Sequence, residues 1–186
     1  MVIMFKIFFL NLAPKYFFMK KSLLTQLLIL VLAPAFLLSF TSLPDRVNFS
    51  GEWKLNPDKS DLGQFANFAT TSIKTDQSND AIIIARTAPS FQGDENTTSE
   101  TLTFDGKETA TKLIGESSKK SKMKWTDDGQ SFSITYTLNL DFNGQQMVIQ
   151  GTEKWSLAND GKTLVVENNS SSDFGDMTTK SVYDKK

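Results

Sequence analysis

Downstream of residue 42 the sequence predicts an all-β domain, an up-and-down antiparallel meander of about ten strands closing into a barrel. Three observations predict it. Apolar and polar residues alternate with period two, hairpin-forming dipeptides separate the alternating runs, and no long segment of 45–186 keeps a helical period.

The clearest run is 131–142. Phe132, Ile134, Tyr136, Leu138, Leu140 and Phe142 share one face, while Ser131, Ser133, Thr135, Thr137, Asn139 and Asp141 share the other. Strict alternation of this kind describes a strand with one dry face and one wet face. Asn143-Gly144 follows, a dipeptide suited to the positive φ angles of a type I′ hairpin. With those two residues as the loop, Leu140 faces Met147, Leu138 faces Ile149, Phe132 faces Trp155, Thr135 meets Thr152 and Ser131 meets Ser156. A one-residue slip would reverse every side chain.

Two near copies of one turn, Trp125–Phe132 and Leu157–Leu164, lie 32 residues apart. Read as Asp-Gly hairpins, they set Trp125 against Phe132 and Leu157 against Leu164. Asp105-Gly106 and Asn79-Asp80 supply further turns. The expected strands lie near 50–55, 71–77, 81–88, 97–104, 107–115, 119–126, 131–142, 145–157, 162–169 and 176–184. Only Lys59–Ala69 has room for a helical turn or two. Closing the meander on itself buries the apolar face and removes exposed edges.

Composition narrows the function. Residues 1–42 carry Lys6, Lys15, Lys20 and Lys21 and no acid; all 21 acids lie in 43–186 with 16 of the 20 bases. An acidic body has no basic face for nucleic acid, nor one for an anionic membrane. The absence of cysteine excludes disulfides and thiolate metal sites; the absence of histidine removes the commonest general base and zinc ligand. No catalytic constellation, metal site or cofactor site is recognisable, so the chain is not expected to be an enzyme. The Asp-Gly turns lack the spaced oxygen ligands of a calcium loop.

The segment 1–42 is expected to be a signal peptide with an upstream extension, the working start being Met19, and 43–186 the barrel domain. Lys20-Lys21 forms a positive n-region ahead of the apolar stretch 23–40, and Ala33-Pro34-Ala35 offers small residues for cleavage. A retained anchor is the alternative, since 23–40 is about the minimum length of a span. The expected residence is the periplasm, the outer surface or the medium.

The first mature strand reads Gly51-Glu52-Trp53-Lys54-Leu55. This Gly-x-Trp resembles the opening strand of the calycins, the lipocalins and fatty-acid-binding proteins. The longer pattern through Lys59-Ser60, with Trp155-Ser156-Leu157, Asp160-Gly161-Lys162-Thr163-Leu164 and Tyr183-Asp184-Lys185, is similar to lipocalin-like small secreted bacterial proteins, a mostly uncharacterised group. The resemblance implies a barrel with Trp53 plugging one end. It also implies a late-strand base across that Trp. The only arginines, Arg46 and Arg86, are early, which leaves Trp53 to close the end by packing unless a lysine such as Lys180 substitutes.

Glu153 is the most informative single residue. The register puts it on the apolar face between Gly151 and Trp155, opposite Ile134 and beside Asn168. A carboxylate there must be protonated, paired or near water. It is either the polar anchor of a ligand cavity or a solvated residue at the barrel mouth. The expected ligand-binding set is Glu153, Tyr136, Trp155, Ile134, Leu138 and Ile149, holding a small apolar or amphipathic molecule. Trp53 stands apart from it. The alternative is an interaction module with a filled core, using the segment 87–98 as its loop. An enzyme would need a second inward carboxylate near Glu153, and the sequence alone identifies none.

Overall fold

The structure is a computed structural model that describes residues 45–186 except 91–92, 114 and 143–144. The expected signal segment and the Asn143-Gly144 turn lie outside the described residues. The described chain forms ten strands: β1 (Gly51–Leu55), β2 (Ser72–Gln77), β3 (Ala81–Pro89), β4 (Glu95–Thr103), β5 (Thr109–Lys112), β6 (Ser118–Trp125), β7 (Ser131–Phe142), β8 (Gln145–Ala158), β9 (Thr163–Ser172) and β10 (Gly175–Lys185). All pair antiparallel in one sheet of order β4-β3-β2-β1-β10-β9-β8-β7-β6-β5. This is the expected meander, with β1 and β10, the first and last strands of the described residues, paired to each other. The stretch 59–69, with room for a helical turn or two, holds the short 3-10 helix Gly63–Phe68, and a second, Pro57–Lys59, ends where that stretch begins.

The barrel is nearly closed. β4 and β5 lie side by side but do not pair, leaving a seam. Register on the other side of the barrel is as the alternation requires. Phe132 pairs with Trp155, Leu138 with Ile149 and Leu140 with Met147. Trp125 pairs with Phe132, and Leu157 with Leu164.

The two copied turns nevertheless differ. In the second, Asn159, Asp160 and Gly161 all take positive φ, whereas in the first only Gly129 does. There Gly129 N–H donates to the Thr126 carbonyl at 3.0 Å, so Asp127-Asp128 forms the turn and Gly129 supplies the left-handed residue after it. The segment 87–98 is also not a free loop. β3 continues to Pro89 and β4 starts at Glu95, with Thr87 paired to Thr97. Alternation there is carried by threonines, which an apolar pattern does not reveal.

One half of the interior is solid. Phe49, Trp53, Phe132, Ile134, Trp155, Ile82, Ile84, Leu102 and Leu164 are all fully buried. Phe49 arrives from the segment ahead of β1 and meets Phe132 edge-on, ring centroids 4.7 Å apart. Gln77 pins that segment, accepting from Phe49 N–H at 2.9 Å and donating to the Val47 carbonyl at 3.1 Å. Trp53 does not act by packing alone. Its Nε1 donates to Thr75 Oγ1 at 3.1 Å, and Lys185 of β10 sets its ammonium 5.1 Å from the ring centre. The base at the Trp53 ring is Lys185; Lys180 pairs with Asp61 through the backbone.

Candidate functional site

Beyond the aromatic half, the same strands turn polar. On β8, Glu153 follows Trp155 inward by two residues, and on β7 Tyr136 follows Ile134. On β3, the inward series Ile82, Ile84 ends in Arg86. On β4, Leu102 is preceded by Glu100. The barrel brings these four ends together.

Arg86 joins both carboxylates. Its Nη2 donates to Glu153 Oε2 at 2.7 Å, and its Nη1 donates to Glu100 Oε1. Lys119 Nζ donates to Glu100 Oε1 and Ser121 Oγ to Glu100 Oε2, each at 2.9 Å. These bonds cross from β4 to β6 over short β5, so side chains close the seam that the backbone leaves open. Trp155 Nε1 donates to Glu153 Oε2 at 2.8 Å, and the guanidinium carbon lies 5.3 Å from a Trp155 ring centre. Glu153 is paired, with its side chain 14% exposed.

Burial opposes ionisation of Glu100, but Arg86 and Lys119 outweigh it and hold the carboxyl down to about 2, from an ordinary 4.5. Burial also disfavours the Arg86 charge, yet Glu153 and Glu100 more than compensate and raise its pKa. Burial, and then the Glu153 charge, push the Tyr136 hydroxyl up, so it stays protonated. That hydroxyl donates to Asn168 Oδ1 at 3.0 Å. Tyr136 reaches across the sheet because Gly151, its pair on β8, has no side chain: a Cβ there would lie 2.5 Å from Tyr136 Cζ and Oη.

A cavity of about 270 Å³ lies against this network, walled by all four charged residues, by Tyr136 and Leu138, and by Thr98, Thr111 and Leu113 at the seam. Of the expected set, Glu153, Tyr136 and Leu138 line it. Ile134 and Trp155 are fully buried in the solid half, Trp155 touching the cluster through Glu153 and Arg86. Ile149 is half-buried and pairs with Leu138, outside that lining. A larger groove of about 670 Å³ lies outside the barrel, over Thr135, Thr152, Asn169 and neighbours. Those are the wet faces of their strands, and no buried charge reaches them.

No family model matches the chain, and no curated protein matches its sequence. Among solved structures the chain is similar to zebrafish ileal bile acid-binding protein complexed with cholic acid. The identity is 14% and the TM-score 0.44, over 74% of this chain and 98% of that one.

Arg86, Glu100 and Lys119 were not singled out by sequence reasoning as partners of Glu153. The signal was present. Ile82-x-Ile84-x-Arg86 and Glu100-x-Leu102-x-Phe104 alternate as cleanly as β8 does, the first placing a base inward and the second an acid. The second inward carboxylate near Glu153 is Glu100.

Proposed function

We propose that the chain is an exported, lipocalin-like binding protein that holds a small, partly apolar ligand inside its barrel. The observation that carries this reading is the cavity of about 270 Å³ set against a largely buried cluster of mutually paired charges. That volume is just below the usual range of ligand pockets, about 300–1,000 Å³, which favours a compact ligand or a short tail. The filled-core alternative describes one half of the barrel only. The binding reading is preferred to an enzyme because both inward carboxylates are tied to Arg86, and Glu100 at about 2 is far from the pKa of an efficient acid or base near neutral pH. Export rests on Lys20-Lys21 and the apolar stretch 23–40.

The test uses protein recovered from the exported fraction, whose N-terminus should follow Ala35. Titrating the neutral apolar dye N-phenyl-1-naphthylamine should give saturable enhancement. Leu138→Trp, which fills the cavity from β7, should weaken it by about tenfold or more, the loss expected from roughly 1.4 kcal/mol of displaced contact. Equal uptake by both proteins, with both folded, would refute the cavity as the binding site.

A further inference from the structure

The charges around the cavity cancel. Arg86 and Lys119 stand against Glu100 and Glu153, and no other charged side chain lines the space. Their bonding capacity is also largely committed. Both terminal nitrogens of Arg86 are used, one for each carboxylate. Glu100 accepts at both oxygens. Glu153 accepts twice at Oε2, and among the described residues no hydrogen bond runs to its Oε1. Lys119 has three donors and gives one to Glu100. What remains for a visitor is one acceptor, a pair of ammonium donors, and the hydroxyls of Thr98 and Thr111 on the wall.

We propose that this cavity selects an uncharged head group that both donates and accepts, an alcohol or primary amide on a short apolar tail, and discriminates against the matching carboxylate and ammonium. The proposal rests on the reading of the barrel as a small-ligand binder. A carboxylate would bring a third negative charge beside Glu100 and Glu153, with the guanidinium already shared between them. An ammonium would meet Arg86 and Lys119 in the same way. Like charges at such range among largely buried side chains are unfavourable. A hydroxyl adds no charge: it donates to Glu153 Oε1 and accepts from Lys119. Its tail then lies on Leu138 and Leu113.

The experiment is displacement of bound N-phenyl-1-naphthylamine at pH 7 by octanol, octanoate and octylamine, which share one tail. Wild type should release the dye to octanol at concentrations at least about tenfold below those of the two ions. Two variants shift the charge count in opposite directions. Glu153→Gln leaves one excess positive charge and should gain about tenfold or more for octanoate. Lys119→Met leaves one excess negative charge and should gain similarly for octylamine. Octanoate or octylamine matching octanol on wild type would overturn the charge rule while leaving the binding cavity standing. Dye that fails to bind wild type would overturn the binding reading, and this inference with it. If one variant does not fold, the other tests the same count; if neither folds, the ranking on wild type decides.

Discussion

The two halves of the barrel interior are built from the same strands yet solve opposite problems. At the end sealed by Phe49, the inward positions of β7 and β8 are Phe132, Ile134 and Trp155, fully buried, with Phe132 stacked on Trp155 at 5.4 Å. Two residues further along each strand they become Tyr136 and Glu153, and the space beside them is a cavity. The aromatic half is held by close-packed rings that remove apolar surface from water, with one unmatched polar group among the described residues, the buried Trp125 indole N–H. The polar half holds two acidic and two basic side chains, whose desolvation is offset by pairing with one another and by the Trp155 and Ser121 donors. The division of labour is that close packing is concentrated at one end, while the other keeps a cavity beside paired charges.

The sharpest way to break this contrast is to cut into the solid half. Phe132 contacts Phe49, Trp125 and Trp155, so Phe132→Ala should cost about 3–5 kcal/mol, toward the upper end of that range. Chemical denaturation should show the midpoint falling with no change in slope. A loss below about 1 kcal/mol would mean that the aromatic end does not carry the fold.

Arg86→Leu attacks the polar half and should cost somewhat less, about 3 kcal/mol. The loss is limited because Glu153 keeps Trp155 and Glu100 keeps Lys119 and Ser121. Its pH dependence separates it from a packing defect. The folded pKa of Glu100 lies below its ordinary value, so its ionised form adds stability above about 4.5 that is lost as pH falls toward about 2. Without Arg86 that depression shrinks, so the stability gap between wild type and variant should narrow as the medium is acidified through this window. Melting curves from neutral pH downward check it. A gap independent of pH would assign the loss to packing.

Much of this fold is written locally. Alternation, with Asn143-Gly144 read from the sequence as the loop, gives the pairs found in β7–β8, because side-chain parity is a nearest-neighbour property. The same parity marks Glu153 as inward. It does not say what meets it, because Arg86 comes from β3, 67 residues away, and only barrel curvature joins the two. Nor does parity separate lining from filling. Ile134 and Leu138 share a face and look alike in sequence, yet one is fully buried in the core and the other borders the cavity. That distinction depends on how far Phe49 and its neighbours fill the barrel along its axis, a property of the closed shape.

The smallest effect expected lies at Trp53. The Lys185 stem passes so close to Gly51 that a Cβ there would lie 2.9 Å from Lys185 Cε, and its ammonium ends 5.1 Å from the indole centre. Trp53 itself is fully buried with its N–H bonded to Thr75, so the ring stays in place whatever covers it. Lys185→Met preserves the apolar stem and removes only the charge. The cost should therefore be that of an exposed cation–π contact, about 0.5–1 kcal/mol, and it should be independent of acid pH because no carboxylate is paired to Lys185 among the described ion pairs. Trp53→Phe in the same background tests the assignment. If the lysine acts through the indole face, its removal should cost less once the weaker benzene ring is present. Additive losses in the double variant would show that Lys185 covers this end of the barrel by its stem alone.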